Sequence, residues 1–388
     1  MERERRFEER LKLYPKDAKY LKELAKNLKI PPQNLNKLFS IMGEQELVYY
    51  LKQAEYDNFL GNSPFRVNLH THTSASDGTV APKDYLDAVL QYMQNNNILK
   101  MIVAITDHDT LDAIPIILKR LVKEPEKYHD IRLVLGCELS TAYTDNDANC
   151  PVDFEILYYG LNPFDKTLQN MLKTLRENRL KALPVILNAL KQKYPWAEFD
   201  LTELTNNRAN LSKGLGCNLP YDVYEYAKGK INDPSKNEEL RHYIFNIGGP
   251  NAEDTSLKTL NLVTDLLDGY HQSKTGFLSV AHPARIDLNH KLTDEFMWNT
   301  KAGGQDPGRA LLSELLRFVR SGGVQGMEIY YGNYNPTLKA AFNNVRFFNN
   351  LNGETEQWMQ NILRFADTYH MIKTGGNDNH GIDFGPNG

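Results

Sequence analysis

Histidines and carboxylates recur directly after short apolar runs in this chain of 388 residues. The run that ends at Leu69 is followed by His70-Thr71-His72. The two histidines lie on one face of a strand, because side chains alternate between the two faces. Asp77 follows on a loop short enough to return to them. Imidazole nitrogens and carboxylate oxygens are ligands of divalent metals, so these three side chains are candidate ligands of a metal site.

The other apolar runs deliver similar side chains at or just beyond their ends. These residues are His108, Glu138, His282, Glu328, Asp378 and His380. In a parallel β/α barrel the carboxyl ends of the strands meet at one face, where the βα loops build active sites. Five of the ten histidines fall at such positions, which favours a cluster of divalent ions over scattered surface histidines.

After residue 63 the chain alternates between apolar runs and amphipathic stretches. This alternation predicts the elements that position these side chains. Such alternation is typical of parallel β/α units. One long, mostly helical stretch interrupts it. We therefore predict an N-terminal helical segment over 1–62, a first barrel part over 63–161, a helical insertion over 162–275 and a second barrel part over 276–388.

The N-terminal segment leaves two interpretations open. Ala25 and Leu35 suit a helix-turn-helix that binds DNA, but Lys29 stands where the turn glycine is usual. A small helical bundle explains the same periodicity, and we favour it.

Composition restricts the function further. The net charge of −4 and a pI near 6.2 argue against a general binder of duplex DNA or of anionic membranes. Cys137, Cys150 and Cys217 form no paired motif, which favours a reducing compartment. No run of 18 apolar residues and no secretory signal is visible. We predict a soluble, cytoplasmic protein without membrane partners.

The motifs, taken in order, resemble the PHP (polymerase and histidinol phosphatase) family. They are Asn-Leu-His-Thr-His (68–72), Ser-Asp-Gly (76–78), Ile-Thr-Asp-His-Asp-Thr (105–110), Gly-Cys-Glu (136–138), Ala-His-Pro (281–283) and Gly-Asn-Asp-Asn-His-Gly (376–381). The resemblance covers roughly residues 65–160 and 276–385. It is strongest to the stand-alone bacterial members that act on nucleoside 3′,5′-bisphosphates and on the 5′ ends of short RNAs.

This resemblance implies a distorted (β/α)7 barrel that binds two or three divalent ions, Mn, Fe or Zn. It also implies a phosphoesterase, in which a metal-activated hydroxide attacks a phosphomonoester or a nucleotide or oligonucleotide phosphate. The ligands carried over are His70, His72, Asp77, His108, Glu138, His282, Asp378 and His380.

The chain departs from the family pattern in three places. Glu155 occupies the strand position where the family usually has a histidine. If that position faces the metals, a harder oxygen ligand tilts the site from Zn toward Mn or Mg; the alternative is a Glu155 turned to solvent. The segment 215–220 lacks the Arg and His of a substrate-contacting motif, and residues 1–62 have no counterpart in the short members.

Two further residues are candidates for a catalytic role. Asp109 either orients a histidine ligand, as Asp107 could, or caps the following helix. Arg285 either pairs with a substrate phosphate or is a surface arginine, and Arg179 is a candidate contact for an anionic substrate. The expected substrate is a small phosphorylated molecule, with nucleotides and short RNAs included. The alternatives are a histidinol-phosphate-type phosphatase and a non-catalytic PHP module with a nucleic-acid-binding N-terminal segment.

Overall fold

The computed structural model describes residues 2–54, 56–59, 63–143, 152–207, 219–249, 252–273, 275–283, 323–331, 363 and 365–381. The strands are β1 (Ile41–Met42), β2 (Phe65–Asn68), β3 (Lys100–Ile105), β4 (Ile131–Tyr143), β5 (Val152–Tyr159), β6 (Asn261–Leu262), β7 (Phe277–Val280), β8 (Val324–Tyr331) and β9 (Ile372–Gly376). The helices are α1 (Glu2–Leu13), α2 (Pro15–Asn27), α3 (Glu44–Leu51), α4 (Tyr56–Phe59), α5 (Tyr85–Asn95), α6 (Ala113–Lys123), α7 (Lys166–Lys193), α8 (Leu201–Asn207), α9 (Leu219–Ile231), α10 (Asn237–Gly248) and α11 (Val263–Ser273).

Seven strands form a nearly closed, barrel-shaped sheet in the order β2-β3-β4-β5-β7-β8-β9. The two ends of this order meet, because the Leu69 N–H donates to the Gly375 carbonyl at 2.9 Å and Thr71 forms a parallel bridge with Asn379. A side chain at Gly376 would collide with His70, so glycine permits this close approach. The predicted α/β fold with a distorted seven-stranded barrel is confirmed.

The prediction of parallel units is wrong for one strand. β5 runs antiparallel to both of its neighbours, β4 and β7, whereas β2–β3, β3–β4, β7–β8 and β8–β9 are parallel pairs. The physical reason is the connection: only residues 144–151 join β4 to β5, and a parallel crossover needs a dozen or more.

Side chains of the strands alternate between two apolar cores. In β3, Val103 packs in the core that the helices α5 and α6 share with the sheet, whereas Ile102 packs in a second core enclosed by the barrel. The strands thus present apolar residues to both sides, as strands covered by helices do.

The N-terminal segment is an integral part of the barrel. Leu47 and Leu51 of α3 share the enclosed core with Ile102, Val134 and Phe277. β1 pairs in parallel with the start of β4, and α2 packs its buried face into the outer core. This segment is therefore not a free helical bundle, and α3 closes the amino-terminal end of the barrel.

Polar contacts fix this segment. Arg10 forms a buried ion pair with Glu46 at 2.6 Å and donates to the carbonyls of Phe39 and Ile41. The Asp17 carboxylate accepts from the first backbone N–H groups of α3, at Gln45 and Glu46. The helix-turn-helix interpretation does not hold, because α2 is followed by a 3₁₀-helix over Pro32–Leu38 rather than by a second α-helix.

The insertion is organised around α7. The first half of this helix, through Leu168 and Leu172, packs in the outer barrel core. Its second half builds a separate core with α9 and α10. At the other end of the insertion, Leu266 and Leu267 of α11 return to the outer barrel core. Among the described residues, no helix is both long and apolar enough to cross a membrane.

We expect Leu47→Ala to lower the free energy of unfolding by about 2–5 kcal/mol, because it leaves a cavity in the enclosed core. The matched control is Leu13→Ala, since Leu13 is 69% exposed and its truncation should change stability by less than about 0.5 kcal/mol. Urea unfolding followed by circular dichroism measures both. Equal stability of the two variants would contradict the role of α3 in closing the barrel.

Candidate metal centre

Five imidazoles and four carboxylates, all of them predicted ligands, converge at one end of the barrel. Parallel strands bring their carboxyl ends there, and β5 contributes from its amino-terminal half because it runs the opposite way. The converging residues are His70, His72, Asp77, His108, Glu138, Glu155, His282, Asp378 and His380.

Glu138 is the centre of this cluster. One carboxylate oxygen of Glu138, Oε2, lies 2.9 Å from His70 Nε2 and 3.3 Å from both His72 Nε2 and His108 Nδ1. The other oxygen, Oε1, lies 3.2 Å from His282 Nε2. Glu138 is fully buried, so four imidazoles replace the water around its carboxylate.

The ligand atoms fall into three overlapping groups, and within each group they lie within 4.8 Å of one another. The solvent-side group is His72, Asp77, His108 and His380; the inner group is His70, His72, Glu138 and Asp378; and the β5-side group is His108, Glu138 and Glu155. Each group shares a residue with the others, so ions bound to neighbouring groups would have ligands in common. Nitrogen and carboxylate ligands in these numbers suit divalent transition metals.

Glu155 belongs to the cluster. Its carboxylate lies 3.1 Å from His282 Nε2 and 3.7 Å from His108 Nδ1. In the antiparallel register Glu155 is opposite Ser140, and Leu157 is opposite Glu138. The side chains of Glu155 and Glu138 therefore reach the same end of the barrel, as the alternation along β5 predicts.

Unsatisfied nitrogen atoms provide a test of whether the residues fit a metal. The Nδ1 atoms of His72 and His108 are buried and make no hydrogen bond in the described part of the chain. A buried polar atom of this kind is costly unless a partner is supplied. His108 Nδ1 faces Glu138 and Glu155, so the donor set around it matches what a divalent ion needs.

The acidic surroundings determine how the histidines hold protons. Burial by itself lowers the pKa of His70, but the charges of Glu138, Glu328 and Asp378 outweigh it and raise the pKa well above its usual range. Burial acts in the same direction on His72, and hydrogen bonds to Asp378 and Glu138 overcome it and raise its pKa to about 10. The raised pKa values of His70 and His72 favour protonated imidazoles, whose positive charge balances the carboxylates that a bound cation would otherwise balance.

Asp107 supports the loop that carries Asp77. Its Oδ1 accepts from the Thr73 N–H at 2.6 Å and the Ser76 hydroxyl at 2.8 Å, and its Oδ2 accepts from the Thr73 hydroxyl. Burial raises the pKa of Asp107, and the nearby His72 and these hydrogen bonds counteract that rise. Asp107 therefore shapes the ligand loop.

Asp109 accepts from the Ser140 N–H at 2.9 Å and pairs with Arg179 at 2.6 Å. The helix after it, α6, begins at Ala113, so Asp109 does not cap that helix. Arg179 is only 2% exposed, and its guanidinium is engaged with Asp109 instead of facing solvent for a substrate.

Glu328 is a further residue of the site. The sequence predicts it at the end of an apolar run, but not as a metal ligand. Both of its oxygens lie 3.2 Å from His70 Nδ1, and Oε2 also accepts from the His282 N–H at 2.8 Å. A carboxylate behind a histidine fixes the ring, and here it leaves the other nitrogen, Nε2, directed at Glu138 in the centre of the cluster. The signal in the sequence is its position directly after the short run 324–327, which begins β8.

Some candidates lie outside the described residues. Arg285 is one of them, as is most of the 215–220 segment that lacks the family's Arg and His.

Comparison with known proteins adds little to this geometry. No protein-family model matches the chain, and no curated protein matches it. Among solved structures, a candidate metal-dependent phosphoesterase from Bifidobacterium adolescentis is 16% identical, with a TM-score of 0.46 over 82% of this chain and 88% of that one. An amidohydrolase from Chromobacterium violaceum with bound sulfate is also 16% identical, with a TM-score of 0.47 over 81% and 87% of the two chains. At this identity and TM-score, neither similarity bears on the activity.

The raised histidine pKa values predict how stability changes with pH. His72 has a pKa of about 10 in the folded protein and about 6.5 when unfolded, so its contribution to stability is complete below pH 6.5 and is lost toward pH 10. We expect the unfolding temperature of the chelator-treated protein to fall across this interval. With Mn²⁺ the fall should be smaller, because the ion replaces the protons.

Calorimetry at several pH values, with and without Mn²⁺, measures this effect. His72→Asn should flatten the decline in the metal-free protein, whereas the control His129→Asn should not, since His129 is an exposed histidine away from the cluster. A metal-free protein that gains stability between pH 6.5 and 10 would contradict the prediction.

Proposed function

We propose that the protein is a metal-dependent phosphoesterase that hydrolyses a small phosphorylated substrate. The observation that carries the proposal is the set of three overlapping groups of imidazoles and carboxylates at one end of the barrel. Divalent ions bound there would polarise the phosphoester and make water nucleophilic near neutral pH.

The chain's own residues provide an inner, buried side and an outer, open side. His70 and Glu138 are fully buried, whereas the side chains of Asp77 and His380 are 35% and 38% exposed. Asp77 and His380 contact each other at 3.1 Å and belong to the solvent-side group. A substrate phosphate would approach from this side, while Glu138 and Glu328 hold the inner histidines in place.

The choice of phosphoesters among hydrolysable substrates rests on the ordered motifs that resemble the PHP family. The same resemblance favours nucleoside 3′,5′-bisphosphates and the 5′ ends of short RNAs as substrates, with a histidinol-phosphate-type reaction as the second candidate. The ligand set is nearly complete, which favours an enzyme over a non-catalytic module, since a module without activity has no need to keep every ligand.

A substrate panel tests the proposal. We expect Mn²⁺-dependent release of phosphate or nucleotide from at least one phosphomonoester, bisphosphate or short RNA, and loss of that release with chelator. His72→Ala and Asp378→Asn should reduce turnover to background and keep the unfolding cooperative. The matched controls are His129→Ala and Asp84→Asn, which change exposed residues away from the cluster. Full turnover in a verified metal-free sample would contradict the proposal.

We also propose that Glu155 is a metal ligand. Its oxygen is harder than imidazole nitrogen, and it therefore favours Mn²⁺ or Mg²⁺ over Zn²⁺ at the β5-side group. Burial raises the pKa of Glu155 and so does the charge of Glu138, but His282 and His108 outweigh them and lower it, so the carboxylate is ionised and ready to bind.

We expect Glu155→Ala to lose one ion by elemental analysis and most of its Mn²⁺-dependent rate. Glu155→His should instead gain Zn²⁺ occupancy, and Glu155→Gln should lie between the two. An unchanged metal count in Glu155→Ala would show that the residue is not a ligand.

A further inference from the structure

The backbone at His108 is fixed by the neighbouring strand. His108 forms a parallel bridge with Glu138, and the Asp109 N–H donates to the Glu138 carbonyl at 2.8 Å. Asp109 has a φ of 48°, a left-handed conformation that Asp adopts more readily than most non-glycine residues but that still depends on support from its surroundings. The chain turns directly after His108, so the conformation of Asp109 fixes the backbone from which the His108 ring projects.

The Asp109 carboxylate holds the turn through both of its oxygens. Oδ1 accepts from the Ser140 N–H at 2.9 Å, and Oδ2 pairs with Arg179 at 2.6 Å. Both partners of the ion pair are 2% exposed, so water cannot replace either one. Removing one charge from such a buried pair leaves the other uncompensated.

Arg179 is itself anchored in the insertion. Its Nε donates to the Thr259 carbonyl at 3.1 Å, and it lies on α7 where the helix passes from the barrel core to the insertion core. One turn earlier, Arg176 donates to Thr110 at 3.0 Å and to Asp112 at 3.1 Å. Two arginines of one helix therefore contact the loop that follows His108.

We propose that Arg179 is a positioning residue: it holds His108 in the ligand cluster through the Asp109 carboxylate, and so makes the insertion helix part of the metal centre. The inference rests on the proposed function for its consequence in metal binding. It predicts a selective effect, because His108 belongs to the solvent-side and β5-side groups but not to the inner group.

The experiment compares Arg179→Met, Arg179→Lys and the double variant Asp109→Asn/Arg179→Met with the full-length wild type. The double variant removes both charges of the buried pair, so no uncompensated charge remains. It keeps the test possible if Arg179→Met alone does not fold. Arg120→Met is the matched control, since Arg120 of α6 forms a partly exposed ion pair with Asp87 of α5. Isothermal titration with Mn²⁺ and elemental analysis measure ion number and affinity. Amide hydrogen exchange of the metal-free protein measures how stable the hydrogen bonds of the turn at Asp109 are.

We expect the double variant to bind the ions of the His108-containing groups about 10–100-fold more weakly, while the inner group keeps its ion. Exchange of the Asp109 and Ser140 amides should accelerate, and that of the Leu133 amide, which donates to Ser40 far from the turn, should not. Arg179→Lys should recover part of both effects.

Two results overturn the inference: wild-type ion number and affinities in a folded double variant, or unchanged exchange at Asp109 and Ser140. A wild type that binds no divalent ion would instead contradict the proposed function, and the exchange data from metal-free protein would still decide whether Arg179 fixes the turn.

Discussion

This structure depends on one constraint: the Glu138 carboxylate is buried away from water. Moving an ionised carboxylate out of water costs several kcal/mol, and Glu138 is fully buried. The cost is offset because imidazoles surround it: burial raises the pKa of Glu138, and the charges of His70 and His108 together with hydrogen bonds from His282 and His70 hold it well below its usual range. Those histidines come from three different strand ends. Glu138, in the middle of β4, therefore requires that the segments after β2, β3 and β7 converge on it, and the barrel-shaped sheet brings them there.

The two ends of the barrel contribute differently: one carries the ligand cluster, and the other is closed by apolar packing. At the polar end, ion pairs and hydrogen bonds hold the buried imidazoles and carboxylates in place. At the opposite end, Leu47 and Leu51 of α3 complete the enclosed core with side chains such as Val134. The apolar closure supplies a hydrophobic contribution that the ligand end cannot, at about 25 cal/mol per Å² of apolar surface buried. The N-terminal segment thus contributes to the barrel core, and none of its described residues belongs to the ligand groups.

Local patterns predicted what lies within a few residues, and failed where partners are distant in sequence. The spacing of His70 and His72 and the alternation around Glu155 require only the period of a strand, and the structure places all three in the cluster. The alternation of elements predicts a parallel β5, whereas the short connection before it indicates the antiparallel direction that the structure has. The pairing of Arg179 with Asp109 spans 70 residues, and that of Glu328 with His70 spans 258, so no local period encodes either contact. Amphipathic spacing in α3 likewise predicts a helix but not which core it enters.

Three of the seven non-glycine residues with positive φ in the described part of the chain lie at or beside the ligands. Asp109, His282 and Asp378 all have positive φ values, of 48°, 24° and 52°. Conformations of this kind cost about 1–3 kcal/mol each and persist only where the surroundings determine them. At Asp378 the surroundings are the closing strands: the next residue, Asn379, donates to the His70 carbonyl at 3.1 Å and accepts from the His72 N–H at 2.8 Å. The hydrogen bonds that close the barrel therefore also hold Asp378 next to the histidines that follow β2. Closure and ligand geometry are one constraint, and a substitution that relaxes the strained backbone would open the cluster as it stabilises the loop.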